Sequence, residues 1–252
     1  MTEELLICIM EISQQMIEVG AEIYRIEESV TRICKAYGAV RVDVFATTSN
    51  VIVSAEKPDG TVLTQTRRIT GSGTDIEKLH RLNDLVRTVT ATTPDCATIR
   101  EKLAEIEKTK KYPAILYILF NAVIAASFCI FFGGRDYKEI IASFVIGFLI
   151  GIVSLVLERR SLNKILSRFA CSFVSAMSAF VLLRLGVIES VDNVIIGNIM
   201  SLIPGIGLTN SLRDLFTGDI ITGALRSIEA ILLALAIAFG YILSAFIFGG
   251  VA

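Results

Sequence analysis

The chain has 252 residues, 53% of them hydrophobic, and a mean hydropathy of +0.66. That is too apolar for an ordinary soluble domain, and a net charge of −1 gives no electrostatic basis for binding nucleic acid. Five scattered cysteines without a C-x-x-C pair, and the single histidine His80, argue against a zinc site, a disulfide framework or Ser-His catalysis, so no metal or cofactor is expected.

The first residues, Met1-Thr-Glu-Glu, are acidic, and no basic segment precedes an apolar core, so no cleavable signal peptide is expected. Residues 1–111 read as a cytoplasmic α+β domain. Leu5, Ile9, Ile12, Met16, Val19, Ile23, Ile26, Val30, Ile33 and Tyr37 recur at spacings of three and four, the mark of a core-facing stripe. One long helix or two consecutive helices satisfy it, with Gly20 as a break and Gly38 as a stop. Three strand-like runs follow, at Val40–Thr47, Val51–Glu56 and Thr61–Ile69. Thr47–Asn50 and Pro58-Asp59-Gly60 supply the turns. Thr74 and Glu77 form a capping box that opens a helix to about Thr90. Thr93-Pro94 opens another, to about Lys111, with proline at its first position. The Gly71-Ser-Gly-Thr74 loop lacks the lysine and the spacing of a phosphate-binding loop.

From residue 112 the composition is that of an α-helical integral membrane domain. Spans are expected near 112–134, 140–157, 165–185, 193–212 and 223–250, each close to bilayer-crossing length. The third is short and relies on Arg168 and Arg184 reaching the interface. Lys108, Lys110, Lys111, Arg159, Arg160, Lys164, Arg168, Arg213 and Arg226 fall in loops on one side. The opposite loops balance Arg135 and Lys138 against Asp136 and Glu139, and carry Glu189 and Asp192. The positive-inside rule then puts the N-terminus in the cytoplasm, and five spans put the C-terminus outside. Small residues mark helix contacts: Gly147 and Gly151 in span two, Ser172, Ser175, Ala176 and Ala179 in span three, and Ala230, Ala234 and Ala238 in span five. Asn121 reads as helix-to-helix glue.

The fourth span is interrupted by Pro204-Gly205-Ile-Gly207, and a polar segment follows directly. Proline removes a helical donor, and irregular backbone at membrane depth is tolerated only inside protein or against a wet cavity. Such breaks point to transporter binding sites. Asn198 and Ser201 share a helix face just before the break. Backbone N–H groups after Pro204, a helix N-terminus near Asn210, and Arg213 are expected to receive a solute carboxylate. Asp214, Asp219 or Glu229 would bind an amine or exchange a proton. The plain alternatives are interfacial charges, and an Arg226–Glu229 pair one helical turn apart. Near the N-terminus, Glu22, Tyr24, Arg25 and Glu27 form a charged cluster that by itself reads as a helix-surface salt-bridge set.

Two segments together resemble the bacterial threonine/serine exporter family, in particular the larger subunit of its split, two-component, succinate-exporter form. They are Gly20-Ala-Glu22-Ile-Tyr24-Arg25-Ile-Glu27, and Leu202-Ile-Pro204-Gly205 through Asn210, Arg213-Asp214 and Gly218-Asp219 to Glu229. The resemblance extends over essentially the whole chain. It implies a cytoplasmic domain before a membrane domain in the bacterial inner membrane, and export of small amino acids or dicarboxylates. Single-chain members continue into a second membrane segment, so the resemblance also implies a separate small multi-span partner. A homo-oligomer is left open. Rival readings are a membrane-tethered sensor or regulator and an intramembrane hydrolase. Five spans with a broken helix speak against the first. The absence of H-E-x-x-H, G-x-S-x-G and Ser-His signals speaks against the second.

Overall fold

The computed structural model describes residues 1–71, 73–109, 112–160 and 162–248. Ser72 of the glycine-flanked loop, Lys110 and Lys111 of the basic run, Ser161 and the tail 249–252 lie outside the described residues. The chain divides into two compact units, one of Met1–Lys110 with Thr209–Leu225, the other of Lys111–Leu208 with Arg226–Ala252.

In the first unit the apolar stripe forms two helices, α1 (Glu3–Glu18) and α2 (Ile23–Ala36). Gly20 separates them at φ +91°, where a side chain is strained, and an added Cβ would also lie 2.8 Å from the Gly73 carbonyl oxygen. Leu6, Ile9, Ile12, Met16, Ile23, Ile26, Val30 and Ile33 are buried, each contributing about 1.5–3 kcal/mol of apolar burial. They face a three-stranded antiparallel sheet in the order β1 (Arg41–Ala46), β2 (Asn50–Glu56), β3 (Val62–Arg68). Val44 pairs with Val53, and Val53 with Gln65. Val51, Val53 and Ala55 of the central strand are buried. Val40, the first residue of the expected run, precedes β1 and is 64% exposed.

Helices α3 (Ile76–Thr92) and α4 (Cys96–Glu107) close the core with Leu82, Val86, Val89, Ile99 and Leu103. Their caps differ from the sequence expectation. Asp75, not Thr74, caps α3 by accepting from the Lys78 amide at 3.0 Å. Asp95 caps α4 by accepting from the Thr98 amide at 3.0 Å, so Pro94 stands outside the helix. A carboxylate is the better acceptor for orphan amides at a helix start, and Thr93 is taken up as the left-handed residue ending α3. The thiols of Cys8 and Cys34 are pushed up to about 12 by burial, so both stay protonated core residues.

The second unit holds α5 (Ala114–Phe131), α6 (Tyr137–Arg159), α7 (Lys164–Arg184), α8 (Asp192–Met200), the first turn of α9 (Gly205–Thr217) and most of α10 (Ile220–Ile247). Among the described residues α5, α6, α7 and α10 are long and apolar enough to cross a membrane. A fifth crossing exists if α8 and α9, bent by 58° at a short break, count as one span. Gly147 and Gly151 let α6 approach α5 as their spacing suggests: a Cβ at Gly147 would lie 2.7 Å from the Ala125 Cβ, and one at Gly151 3.0 Å from the Ile118 Cα. Gly197 does the same for α8, where a Cβ would lie 2.7 Å from the Ala125 carbonyl oxygen and the Cys129 nitrogen. Ser172, Ser175, Ala176 and Ala179 are buried along α7. On α10 the inward stripe is Ala230, Leu233, Ile237, Gly240 and Ser244, while Ala234 and Ala238 face outward. The seryl hydroxyls account for part of this: Ser172 donates to the Ile237 carbonyl and Ser244 to the Phe173 carbonyl, pinning α7 to α10. Asn121 bonds back to Tyr117 of its own helix.

Candidate functional site

In the first unit the two signature segments meet. The turn after Gly20 makes Glu22 the N-cap residue of α2, and its carboxylate caps no amide. It reaches instead across 191 positions of sequence to Arg213 of α9, at 2.6 Å, with Arg25 3.8 Å from its other oxygen. The Arg213 guanidinium also stands 5.6 Å from the centre of the Tyr24 ring, within cation–π range. Burial pushes the Tyr24 hydroxyl above its usual range, and the negative charge of Glu22 adds to the shift. Glu22 is largely enclosed, its side chain 12% exposed, whereas that of Arg213 is 56% exposed. The pair is thus a sheltered anion holding a cation that solvent can reach. The charged cluster near the N-terminus is therefore more than a set of local pairs, because its tightest bond is to α9.

One turn on, Glu27 accepts a hydrogen bond from the Ala46 amide at 2.9 Å. Burial pushes its carboxyl above the usual range, the Ala46 bond opposes this, and the charge of Asp219 reinforces it. Asp214 and Ser211 are fully buried on the inner face of α9. Asn210 lies within α9 and is half-buried. The helix N-terminus expected near Asn210 is instead at Gly205. The Pro204 carbonyl accepts from the Leu208 amide at 2.9 Å, so proline, which lacks a donor and presets φ, takes the capping position and α9 starts there.

The second unit contains a polar ladder between α6 and α8. Asn193 Nδ2 donates to Glu139 Oε2 at 3.2 Å, and one turn further Asn198 Nδ2 donates to Ser143 Oγ at 3.1 Å. Ser143 Oγ in turn donates a hydrogen bond to the Ala125 carbonyl of α5 at 2.9 Å. Asn198 also donates to the Val194 carbonyl, and Ser201 donates to the Asn198 carbonyl, both at 2.8 Å. Asn198 is completely buried and its Oδ1 accepts from nothing among the described residues; the same holds for Ser175 Oγ. Glu139, treated in sequence as a loop charge balancing Lys138, is 7% exposed in the first turn of α6. Its signal in the sequence was its place within one turn of a long apolar helix. Glu229 pairs with Lys164 of α7 at 3.8 Å, both about half exposed. An apolar groove of about 760 Å³ between α7 and α10 is walled by Phe169, Phe239 and Phe246 and has no charged lining residue. Its chemistry suits hydrocarbon, not a small anion.

The threonine/serine exporter (ThrE) family model matches residues 8–248. The "Probable succinate transporter subunit YjjP" of Klebsiella aerogenes is 26% identical over 235 residues, 93% of this chain and 90% of that protein. The protein of the same name from Escherichia coli is 26% identical over 238 residues, 93% of this chain and 91% of its own length. Pheromone-regulated membrane protein 10 of Eremothecium gossypii is 24% identical over 185 residues, 70% of this chain and 24% of that protein. No solved structure is significantly similar.

Proposed function

This chain belongs to the threonine/serine exporter family, and from that premise we propose that it is one subunit of a secondary exporter for a small amino acid or dicarboxylate. As a member of a transporter family it is a membrane protein that moves a solute and is not an enzyme. Its membrane is the bacterial inner membrane, with the 1–111 domain in the cytoplasm and the C-terminus outside, as the loop charges favour. The relatives named as subunits support a partner, which we take to be a small multi-span membrane protein.

The observation that carries the reading is the Glu22–Arg213 pair beside Tyr24. Arg213 offers planar, paired donors that fit a carboxylate in two-point contact. Enclosed Glu22 fills that place in the absence of solute. A solute carboxylate arriving from the cytoplasm competes with Glu22 for the exposed guanidinium, and Arg25 stands ready for the released Glu22 charge. Asp214, Asp219 and Glu27 add the acidic groups that an amino-acid ammonium would need. Asn198, Ser201, Pro204, Gly205, Asn210 and Glu229 are further residues that we assign to solute translocation.

The test is efflux of labelled serine, threonine and succinate from loaded cells expressing the chain, with and without a small multi-span membrane subunit of the same family. Accelerated loss of one of these solutes is expected with both chains present. Unchanged efflux of all three in both settings would refute the exporter reading.

A further inference from the structure

We infer that Cys8 and Cys96 are an oxidisable thiol pair, in which hydrogen peroxide converts Cys96 to a sulfenic acid and Cys8 resolves it to a disulfide that staples α1 to α4. The inference concerns the first unit alone and does not depend on the exporter reading.

The two helices hold these residues face to face. On α1, Glu4, Cys8 and Glu11 follow at spacings of four and three and share one side of the helix. On α4, Cys96 and Arg100 are four apart and likewise share a side. Arg100 bridges α1, its Nη1 3.2 Å from Glu4 Oε1 and its Nε 3.3 Å from Glu11 Oε2. A guanidinium that reaches both carboxylates stands over the residue between them, and Cys8 feels its charge. Cys96, one turn before Arg100, completes the contact, and the Cys8 thiol donates a hydrogen bond to the Cys96 sulfur. The Tyr37 hydroxyl donates to the Pro94 carbonyl, which fixes the chain two residues before Cys96. Side chains whose sulfurs touch meet the first requirement of a disulfide, that their Cβ atoms point towards each other.

Burial assigns the roles. Cys8 is completely buried in the core, and Cys96 packs against that core while staying half-exposed. A buried cysteine by itself is a small core residue, as Cys34 is. A second thiol in contact with it, open to solvent, gives the layout of a reacting and a resolving cysteine. Burial first, and the bond to Cys96 second, push the Cys8 thiol up to about 12, so it meets a solvent oxidant only through Cys96. Clusters of three or more metal-ligating side chains are absent among the described residues, and two thiols fall short of a tetrahedral zinc site. In a reducing cytoplasm the pair rests as two thiols.

The steps balance. The Cys96 thiolate attacks one peroxide oxygen and the O–O bond breaks, giving Cys96–SOH and hydroxide, which takes up a proton to leave as water. The Cys8 sulfur then displaces the sulfenyl hydroxyl. The S–S bond forms, the S–O bond breaks, and the Cys8 proton departs with the hydroxyl as a second water. One peroxide is reduced by two electrons, and two thiols are oxidised by the same two.

The test uses the full chain in membranes of cells that express it. After treatment with hydrogen peroxide and blocking with N-ethylmaleimide, mass spectrometry of the digest is expected to show a Cys8–Cys96 linked peptide. It should be missing from untreated membranes, from Cys96→Ala, and after dithiothreitol. In Cys8→Ala, where no thiol resolves the sulfenic acid, dimedone is expected to label Cys96 about tenfold more than in wild type. Oxidised wild type should unfold at a midpoint about 5 °C or more above the reduced chain, a shift lost in Cys96→Ala. The linked peptide is read on wild type, so a folding defect in Cys8→Ala leaves the test standing. Absence of the link in peroxide-treated membranes overturns the inference, as does a link that forms only in urea, or a Cys96–Cys96 link between two copies. Dimedone labelling that ignores Cys8 in a folded variant, or zinc that shields both thiols from alkylation, overturns it equally.

Discussion

Arg213 carries the most chemistry per atom in the first unit, since one guanidinium meets the Glu22 carboxylate and the Tyr24 ring. The ion pair and the ring contact, partly open to solvent, are each worth about 1 kcal/mol. Arg213→Ala is therefore expected to lower stability by about 2 kcal/mol, read as a denaturation midpoint. Its effect on efflux should be larger, about tenfold or more, because a solute contact made during transport is lost as well. Exchanging the charges, Glu22→Arg with Arg213→Glu, should recover stability without recovering efflux. Recovery of both would show that the pair is only structural. Glu27 makes a prediction of opposite sign. Its carboxyl is held above the usual range by burial first and by Asp219 second, so the folded state favours the protonated form. Its stabilising contribution is complete at pH below the unfolded value and is lost as pH rises through the folded one. Glu27→Gln, which keeps an acceptor for the Ala46 amide, should flatten that decline and leave the protein at least as stable as wild type at neutral pH. A steeper decline in the variant would overturn the assignment.

The elements show why some of this was legible in sequence and some was not. The stripe from Leu5 to Tyr37, the break at Gly20, the three strands and the apolar helices follow from local spacing and turn chemistry, and all appear in the structure. Competition between neighbouring acceptors was harder to read: Asp75 and Asp95 took the caps offered to Thr74 and Thr93. The α10 stripe was misassigned because small residues at regular spacing do not by themselves say which face meets α7. In the membrane unit the close approaches are the sensitive points. Gly197 abuts the backbone of α5, which cannot yield as a side chain can. Gly197→Ala is expected to cost about 1–3 kcal/mol, measured as a fall in melting midpoint in detergent. Alanine at Gly205, where nothing lies within 4 Å of an added Cβ, should leave it nearly unchanged.

At the scale of the whole molecule, the orientation argued from loop charge is open to direct labelling. Asp59→Cys in the β2–β3 turn should react with a membrane-impermeant maleimide only after cells are permeabilised. Ser190→Cys, before α8, should react in intact cells. The half-exposed Cys96 is replaced by serine as background. Reaction of both in intact cells, or of neither, would contradict the topology. The sequence alone determined the membrane character, the elements and the family, because apolar runs, helical periodicity and short motifs are properties of neighbouring residues. Only the tertiary structure decided which polar groups act together. Glu22 met Arg213 across 191 positions. Glu139, a loop charge by its neighbours in sequence, became a buried acid because α8 packs on α6 and brings Asn193 to it. Burial and pairing of charge are set by groups distant in the chain, so spacing along the sequence does not encode them.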